Sequence, residues 1–381
     1  MCIRDSVRRL AGRILTPDGF VDGTLSIGED GRVASVSGDP VPARFERDGA
    51  TTFVLPGFVD LHVHGGGGHD VMEGGDAAAA IARLHARHGT TSILATTMTA
   101  PAADLESAFA ALAAPVRSRP AGGARIHGVH LEGPYINAGR LGAQPDFARR
   151  LSQDELRRLR AHAPVRLVTL APEVPGHLAA IAGLVAEGIR VQLGHTQGTY
   201  EDGVAALARG ASGFTHLFNA MSGFRHREPG MAGAALAHAE FAEIIPDLLH
   251  VHPGAIRVAL RAVPRLFCVT DSTAASGMPD GEYRLGRHTV TKCLGGVRLA
   301  DGTLAGSALT MDQAFRNLAG PLGLTLAEAS ARTATHAADF LGLADRGRLA
   351  AGAWADVAVL DRDLALMHVL VEGEAIDLAD A

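Results

Sequence analysis

Leu55-Pro56-Gly57-Phe58-Val59-Asp60-Leu61-His62-Val63-His64-Gly65 is the stretch around which the chain is organised. Pro56 and Gly57 break the chain before it, and Gly65 to Gly68 break it after. Between the breaks, Phe58, Val59, Leu61 and Val63 read as a strand buried on both faces. His62 and His64 are two residues apart, so a strand points both imidazoles the same way. Two imidazoles beside flexible glycine backbone can grip one metal ion. A pair of hydrogen-bonded histidines at a strand end explains the same residues equally well, and the later strands must decide.

From His64 onward, helical stretches alternate with short apolar runs, as in a parallel α/β fold. Helices are expected over 77–88, 104–114, 155–162, 178–187 and 203–209. Strands are expected over 91–98, 126–132, 165–170, 190–195, 213–216, 241–245 and 266–271. With 58–63 these make eight, and a (β/α)8 TIM-type barrel over residues 57–346 is the economical arrangement. Residues 7–56 alternate around turn signals such as Pro17-Asp18-Gly19 and Glu29-Asp30-Gly31. Residues 347–381 return to strand character, and the two ends are expected to pair as a small β-sandwich domain. Residues 1–6 fit no strand and receive no role.

Length and composition narrow the function. The 381 residues are 47% hydrophobic, enough for one large domain and a smaller one. A net charge of -6 leaves no broad basic surface for nucleic acid. No apolar run reaches the ~18 to 20 residues of a membrane span. Met1-Cys-Ile-Arg-Asp-Ser carries charge where a signal peptide needs an apolar core, so a cytoplasmic location is expected. Cys2, Cys268 and Cys293 are too few and too scattered for a disulfide framework or a cysteine-based zinc site.

In a barrel of this kind the active site lies at the C-terminal ends of the strands. The polar residues there are His62, His64, Glu132, His195, His216 and Asp271. Singly, each is better read as a structural residue: a strand-end histidine is usually just hydrogen-bonded, and Asp271 could cap a helix. Together, ligand-type residues at the ends of five strands point to a metal centre. Neutral imidazole and carboxylate suit Zn²⁺ or Fe²⁺. Such an ion lowers the pKa of bound water to about 7 and polarises a carbonyl. A spare carboxylate can then move the proton to a leaving group, which describes hydrolysis of an amide or related C–N bond.

This constellation resembles the amidohydrolase superfamily. Many members bridge two metals with a carboxylated lysine on the fourth strand; the single lysine here, Lys292, lies beyond the eighth. Glu132, in His130-Leu131-Glu132-Gly133-Pro134, is the natural substitute. That motif, with Gly194-His195-Thr196, Thr215 to Met221, Arg227-Glu228-Pro229-Gly230, Val269-Thr270-Asp271 and Ala305 to Met311, resembles the N-acetylglucosamine-6-phosphate deacetylase family over most of the chain.

The resemblance implies metal-dependent removal of acetate from N-acetylglucosamine 6-phosphate in amino sugar catabolism. Glu132, His195 and His216 match the metal ligands, and His62 and His64 the extra pair of members that bind two ions; one or two ions of zinc or iron per subunit are implied. Asp271 matches the catalytic carboxylate, and His250 a histidine that contacts the substrate. Ala143, Asn219, Ala220, Leu309, Thr310 and Met311 match substrate contacts, and Arg227 a phosphate-binding arginine. A homodimer is also implied. Asn219 could equally cap a loop, Arg225 and Arg227 could be solvated charges, and His250 and His252 could start a helix. Two positions depart from the family: Gln144 stands where a histidine is common, and Leu248 where many members have glycine. Two other readings stay open. One is a related hydrolase acting on N-acetylgalactosamine 6-phosphate or a cyclic amide. The other is a non-catalytic scaffold relative, which would be expected to have lost ligands.

Overall fold

The structure, a computed structural model, describes residues 8–379. Residues 1–7 and 380–381, and with them the outermost positions of the expected terminal unit, lie outside the described residues.

Gly57 is the joint from which the fold departs. A Cβ there would lie 2.2 Å from the Thr91 Cγ2, so no other residue fits between the two strands. Before the joint, Thr52–Pro56 belongs to a sheet built from both chain ends. After it, Phe58–Val63 (β1) is buried at every position. The chain then lays down Thr90–Thr97 (β2), Arg125–Glu132 (β3), Val165–Leu170 (β4), Arg190–Leu193 (β5) and Gly213–Phe214 (β6). With β1 these form one six-stranded parallel sheet in sequence order. Phe241–Ile244 (β7) and Arg265–Cys268 (β8) form a separate parallel pair.

Backbone contacts link the two sheets at both edges. Leu217 N–H donates to Glu243 O at 2.9 Å just past β6. Asp271 N–H donates to His62 O at 3.0 Å, and Val63 bridges Ser272, which brings β8 back to β1. Helices lie between successive strands, among them Ala77–Arg87, Ala102–Arg117 and Gln153–His162. Their caps are local and legible: Ser152 accepts from Glu155 N–H, and Thr199 with Asp202 forms a capping box at Tyr200–Leu207.

The strands that were expected to run into His195, His216 and Asp271 stop two or three residues short of them. The reason is conformational: these residues have φ of 48°, 29° and 50°, in the left-handed region that no strand can continue through.

The terminal strands form one seven-stranded sheet, in the order 374–375, 366–371, 357–361, 52–56, 9–16, 19–27, 33–40. It is a single hydrogen-bonded sheet that curls on itself: Arg32 bridges Trp354, and Gly31 packs against the Glu372 carbonyl. Ile14, Leu25, Val54, Val357 and Val359 fill the space inside. A buried Arg346, with Asp356 at 2.6 Å and Glu372 at 2.5 Å, ties its far edge down.

A further sheet was not expected. Gly281–Leu285, His288–Cys293 and Gly296–Arg298 form a three-stranded antiparallel sheet after β8. Its Leu285, Val290 and Val297 pack on Met98 at the end of β2. The signal was present as short alternating runs split by Leu285-Gly286 and Leu294-Gly295.

Candidate metal centre

His62 and His64 reach one point from β1 because alternation puts both on the same side of the strand. Glu132 reaches the same point as the last residue of β3. His195, His216 and Asp271 arrive from β5, β6 and β8 through their left-handed backbone, a strained conformation that persists where surrounding structure enforces it. All six side chains are buried or nearly so.

The distances group them around two centres that share Glu132. Glu132 Oε1 lies 3.2 Å from His195 Nε2 and 3.1 Å from His216 Nε2, and the two nitrogens are 3.1 Å apart. On the other side, His64 Nε2 lies 3.1 Å from Glu132 Oε2 and 3.3 Å from Asp271 Oδ1. His62 Nε2 lies 3.2 Å from His64 Nε2 and 3.4 Å from Glu132 Oε1. Ligand atoms about 2.0–2.1 Å from a tetrahedral ion sit about 3.3–3.4 Å apart, so both triangles have the dimensions of a coordination shell. Each trio, Glu132-His195-His216 and His62-His64-Glu132, could hold an ion.

The outer ring nitrogens explain why these contacts are not ordinary hydrogen bonds. His195 Nδ1 faces Arg140 O at 2.8 Å, His64 Nδ1 faces Thr96 O at 3.2 Å, and His62 Nδ1 faces Glu243 Oε2 at 3.1 Å. Each of these nitrogens must carry the proton and donate. A neutral ring then has only a lone pair left at Nε2, directed at carboxylate oxygens that are also lone-pair donors. Positive charge at the centre resolves the conflict, whether a proton on an imidazole or a divalent ion.

The electrostatics agree. Burial alone would lower the His62 imidazole, but the Glu132 and Asp271 carboxylates hold it well above its usual range. His64 is likewise pushed up to about 9, against burial, by Asp271 and Glu132. In return, Glu132 and Asp271 stay below the usual carboxylate range although burial opposes it. Below the centre, Asp60 is raised to about 7 by burial while accepting from the His62 and Thr270 N–H groups.

A cavity of about 370 Å³ opens onto this centre, a size suited to a small-molecule site. His250 lines it, its Nδ1 held by Asp247 Oδ2 at 2.7 Å; against burial, that carboxylate raises the imidazole above its ordinary value. Ala143, Asn219 and Ala220 line it too, and the Asn219 amide also caps His216 O at 3.2 Å. Arg227 does not: it lines a neighbouring cavity of about 570 Å³, and Arg140 stands in both walls. Leu309, Thr310 and Met311 are buried and are not among the residues lining either cavity; Met311 opens the helix Met311–Ala319. His252 does start a helix, accepting from Gly254 N–H.

Both departures from the expected pattern have structural accounts. Gln144 Oε1 accepts from Thr99 N–H at 2.6 Å, which orients its amide to donate to Glu132 Oε2 at 2.5 Å. Leu248 has φ of 67°, a conformation glycine adopts freely, and it packs against the hydrophobic core instead of lining the cavity. Sequence reasoning missed Gln144 as a partner of Glu132, the carboxylates Asp60 and Glu243 beneath the histidines, and Leu285 and Leu304, which the unexpected sheet brings to the cavity wall. For Asp60 and Glu243 a signal existed: each is a lone acid inside an apolar strand.

Residues 53–376 match the amidohydrolase family. The chain is 39% identical to N-acetylgalactosamine-6-phosphate deacetylase of Escherichia coli O157:H7, over 96% of this chain and 97% of that one. It is 37% identical to N-acetylglucosamine-6-phosphate deacetylase of Vibrio furnissii, over 93% and 91%. The structure resembles that of an N-acetyl-D-glucosamine-6-phosphate deacetylase variant of Mycobacterium smegmatis in complex with N-acetyl-D-glucosamine-6-phosphate, with a TM-score of 0.88, 38% identity, and coverage of 98% and 100%.

Proposed function

The chain belongs to the amidohydrolase family, and from that premise we propose that it removes acetate from N-acetyl-D-glucosamine 6-phosphate, leaving D-glucosamine 6-phosphate. The observation that carries this reading is the convergence of four imidazoles and two carboxylates on the floor of a cavity, with the lone pairs of His62, His64 and His195 facing inward. We read the eight-strand circuit as a closed (β/α)8 barrel spanning 57–346. The curled terminal sheet, 7–56 with 347–381, is read as a small β-sandwich domain.

In this reading Glu132, His195 and His216 would hold one divalent ion, and His62, His64 and Glu132 would hold a second. The donor set suits zinc or iron. A bound ion supplies Lewis acidity for the acetamide carbonyl and eases deprotonation of water. Asp271, kept ionised by His62 and His64, takes the proton from the attacking water and returns it to the nitrogen as the C–N bond breaks. His250, steadied by Asp247, donates to the developing oxyanion. Asn219, Ala220 and Ala143 shape the sugar pocket. Arg227 anchors the phosphate away from the reacting bond, and Leu309 to Met311 support the wall from behind. A homodimer in the cytoplasm completes the proposal; no described helix is long and apolar enough to cross a membrane.

The 39% identity to the galactosamine enzyme supports a second reading, in which N-acetylgalactosamine 6-phosphate is the preferred substrate. Acetate release from both sugar phosphates and ring opening of a cyclic amide, each with and without a chelator, test the proposal. Release from N-acetylglucosamine 6-phosphate at the higher kcat/KM, abolished by the chelator, is the expected result. Preference for N-acetylgalactosamine 6-phosphate selects the second reading. Turnover of the cyclic amide alone, or activity indifferent to metal removal, overturns both.

A further inference from the structure

We infer that Glu243 is a positioning residue for the whole centre, holding one ligand of each candidate ion with a single oxygen. The inference rests on reading the site as a metal centre. Glu243 Oε2 accepts from the inner ring nitrogen of His62 at 3.1 Å and from the backbone N–H of His216 at 3.2 Å. His62 belongs to the trio on one side of Glu132, and His216 to the trio on the other. The two rings stack with centroids 5.6 Å apart, so Glu243 spans beneath them like a bracket.

Its surroundings make little sense for a carboxylate with a purely structural task. It is fully buried, its other oxygen Oε1 has no hydrogen-bond partner, and among the described residues its ion-pair partner is His62. A buried carboxylate without a cation is costly, and one imidazole away is the point where cationic charge is required. The bond to His62 does specific work there. It holds the proton on Nδ1, so that Nε2 presents its lone pair to the Glu132 side; without it the ring is free to turn an N–H toward the centre, where it cannot ligate. The bond to the His216 N–H helps restrain a residue whose φ of 29° is unfavourable.

His62, His130 and Glu243 also lie close enough to resemble an ion site of their own. They do not form one. A neutral His62 has one lone pair to give, and His130 Nε2 is already engaged by Thr169 Oγ1 at 2.7 Å. The trio is a support under the metal centre and extends upward through His62.

The test uses full-length protein stripped of metal and titrated with Zn²⁺ against a chromophoric chelator. Glu243→Gln keeps the shape and removes the charge; Glu243→Ala removes both and serves if the amide disturbs packing. Wild type is expected to take up metal, and Glu243→Ala, which removes the accepting oxygen, to bind it about 10- to 100-fold more weakly; Glu243→Gln, whose amide oxygen can still accept both bonds, separates the bonds from the charge. The metal-free melting temperatures of wild type and variants are read alongside, so that a loss of fold is told apart from a loss of metal affinity. Glu243→Ala that binds zinc within threefold of wild type, or whose only defect is a lower metal-free melting temperature, overturns the inference. Wild type that binds no metal overturns instead the reading of the site as a metal centre.

Discussion

Gln144 and Glu132 are joined by a hydrogen bond of 2.5 Å, and the Thr99 N–H on the opposite end of the Gln144 amide fixes which way it points. Glu132 is the one residue shared by both halves of the centre, so its carboxylate must keep one oxygen on each side. Gln144 steadies the Oε2 half. Gln144→Ala is expected to lower metal affinity or kcat by about 10- to 100-fold, and Gln144→Glu to do more damage by placing a second negative charge against Glu132. Metal content after dialysis, read beside kcat, checks both.

Asp271→Asn preserves the shape of the side chain and removes its ability to take a proton. Turnover is expected to fall by about 10²- to 10⁴-fold while metal content is largely retained. Near-normal kcat in this variant would show that another group carries the proton.

Arg227 borders the cavity beside the one that opens on the centre, and Arg140 links the two. Charge-assisted hydrogen bonds contribute about 1.5–3 kcal/mol, so Arg227→Ala is expected to cost about 10- to 100-fold in kcat/KM for the phosphorylated sugar. The same variant should handle the unphosphorylated N-acetyl sugar as wild type does. An equal loss on both substrates would remove Arg227 from phosphate recognition.

His85 gives a stability prediction with a definite sign. It is fully buried and bonds Gly65 O at 3.0 Å and Ser272 Oγ at 3.2 Å, and burial lowers its pKa from 6.5 to about 4. Above pH 6.5 it is neutral in both the folded and the unfolded chain and contributes no slope. As pH falls from 6.5 to 4 the unfolded chain gains a proton that the fold refuses, and stability drops by up to about 3 kcal/mol. Urea unfolding at a series of pH values should therefore show a shallower acid slope for His85→Gln than for wild type. Parallel slopes would mean that His85 is protonated in the fold.

Arg346 is buried with Asp356 at 2.6 Å and Glu372 at 2.5 Å, holding the terminal sheet together from within. Arg346→Met is expected to destabilise by about 3–5 kcal/mol, because it strands Asp356 as an unpaired buried charge. Adding Asp356→Asn should recover part of the loss. A double variant no better than the single one would show that packing, and not charge, is what Arg346 supplies.

Much of the fold could be read from spacing. Eight short apolar runs between helical stretches marked the parallel strands, and residues 165–170 match the observed strand at both ends. Where a strand ended in a functional residue the reading ran too far, because periodicity cannot register a reversal of φ at a single position. The sheet over 281–298 was missed for the opposite reason: its turns were visible, but short exposed strands carry little hydrophobic signal.

The sequence by itself determined which groups could meet: alternation puts His62 and His64 on one side of a strand, and strand ends bring Glu132, His195, His216 and Asp271 to the same end of the sheet. Only the tertiary structure decided what those groups can do. Which ring nitrogen carries a lone pair depends on what lies against the other one: Thr96 O for His64, Arg140 O for His195 and Glu243 for His62. Those partners lie 32, 55 and 181 positions away along the chain. A hydrogen bond tells them apart over a few tenths of an ångström, which no local pattern of residues encodes.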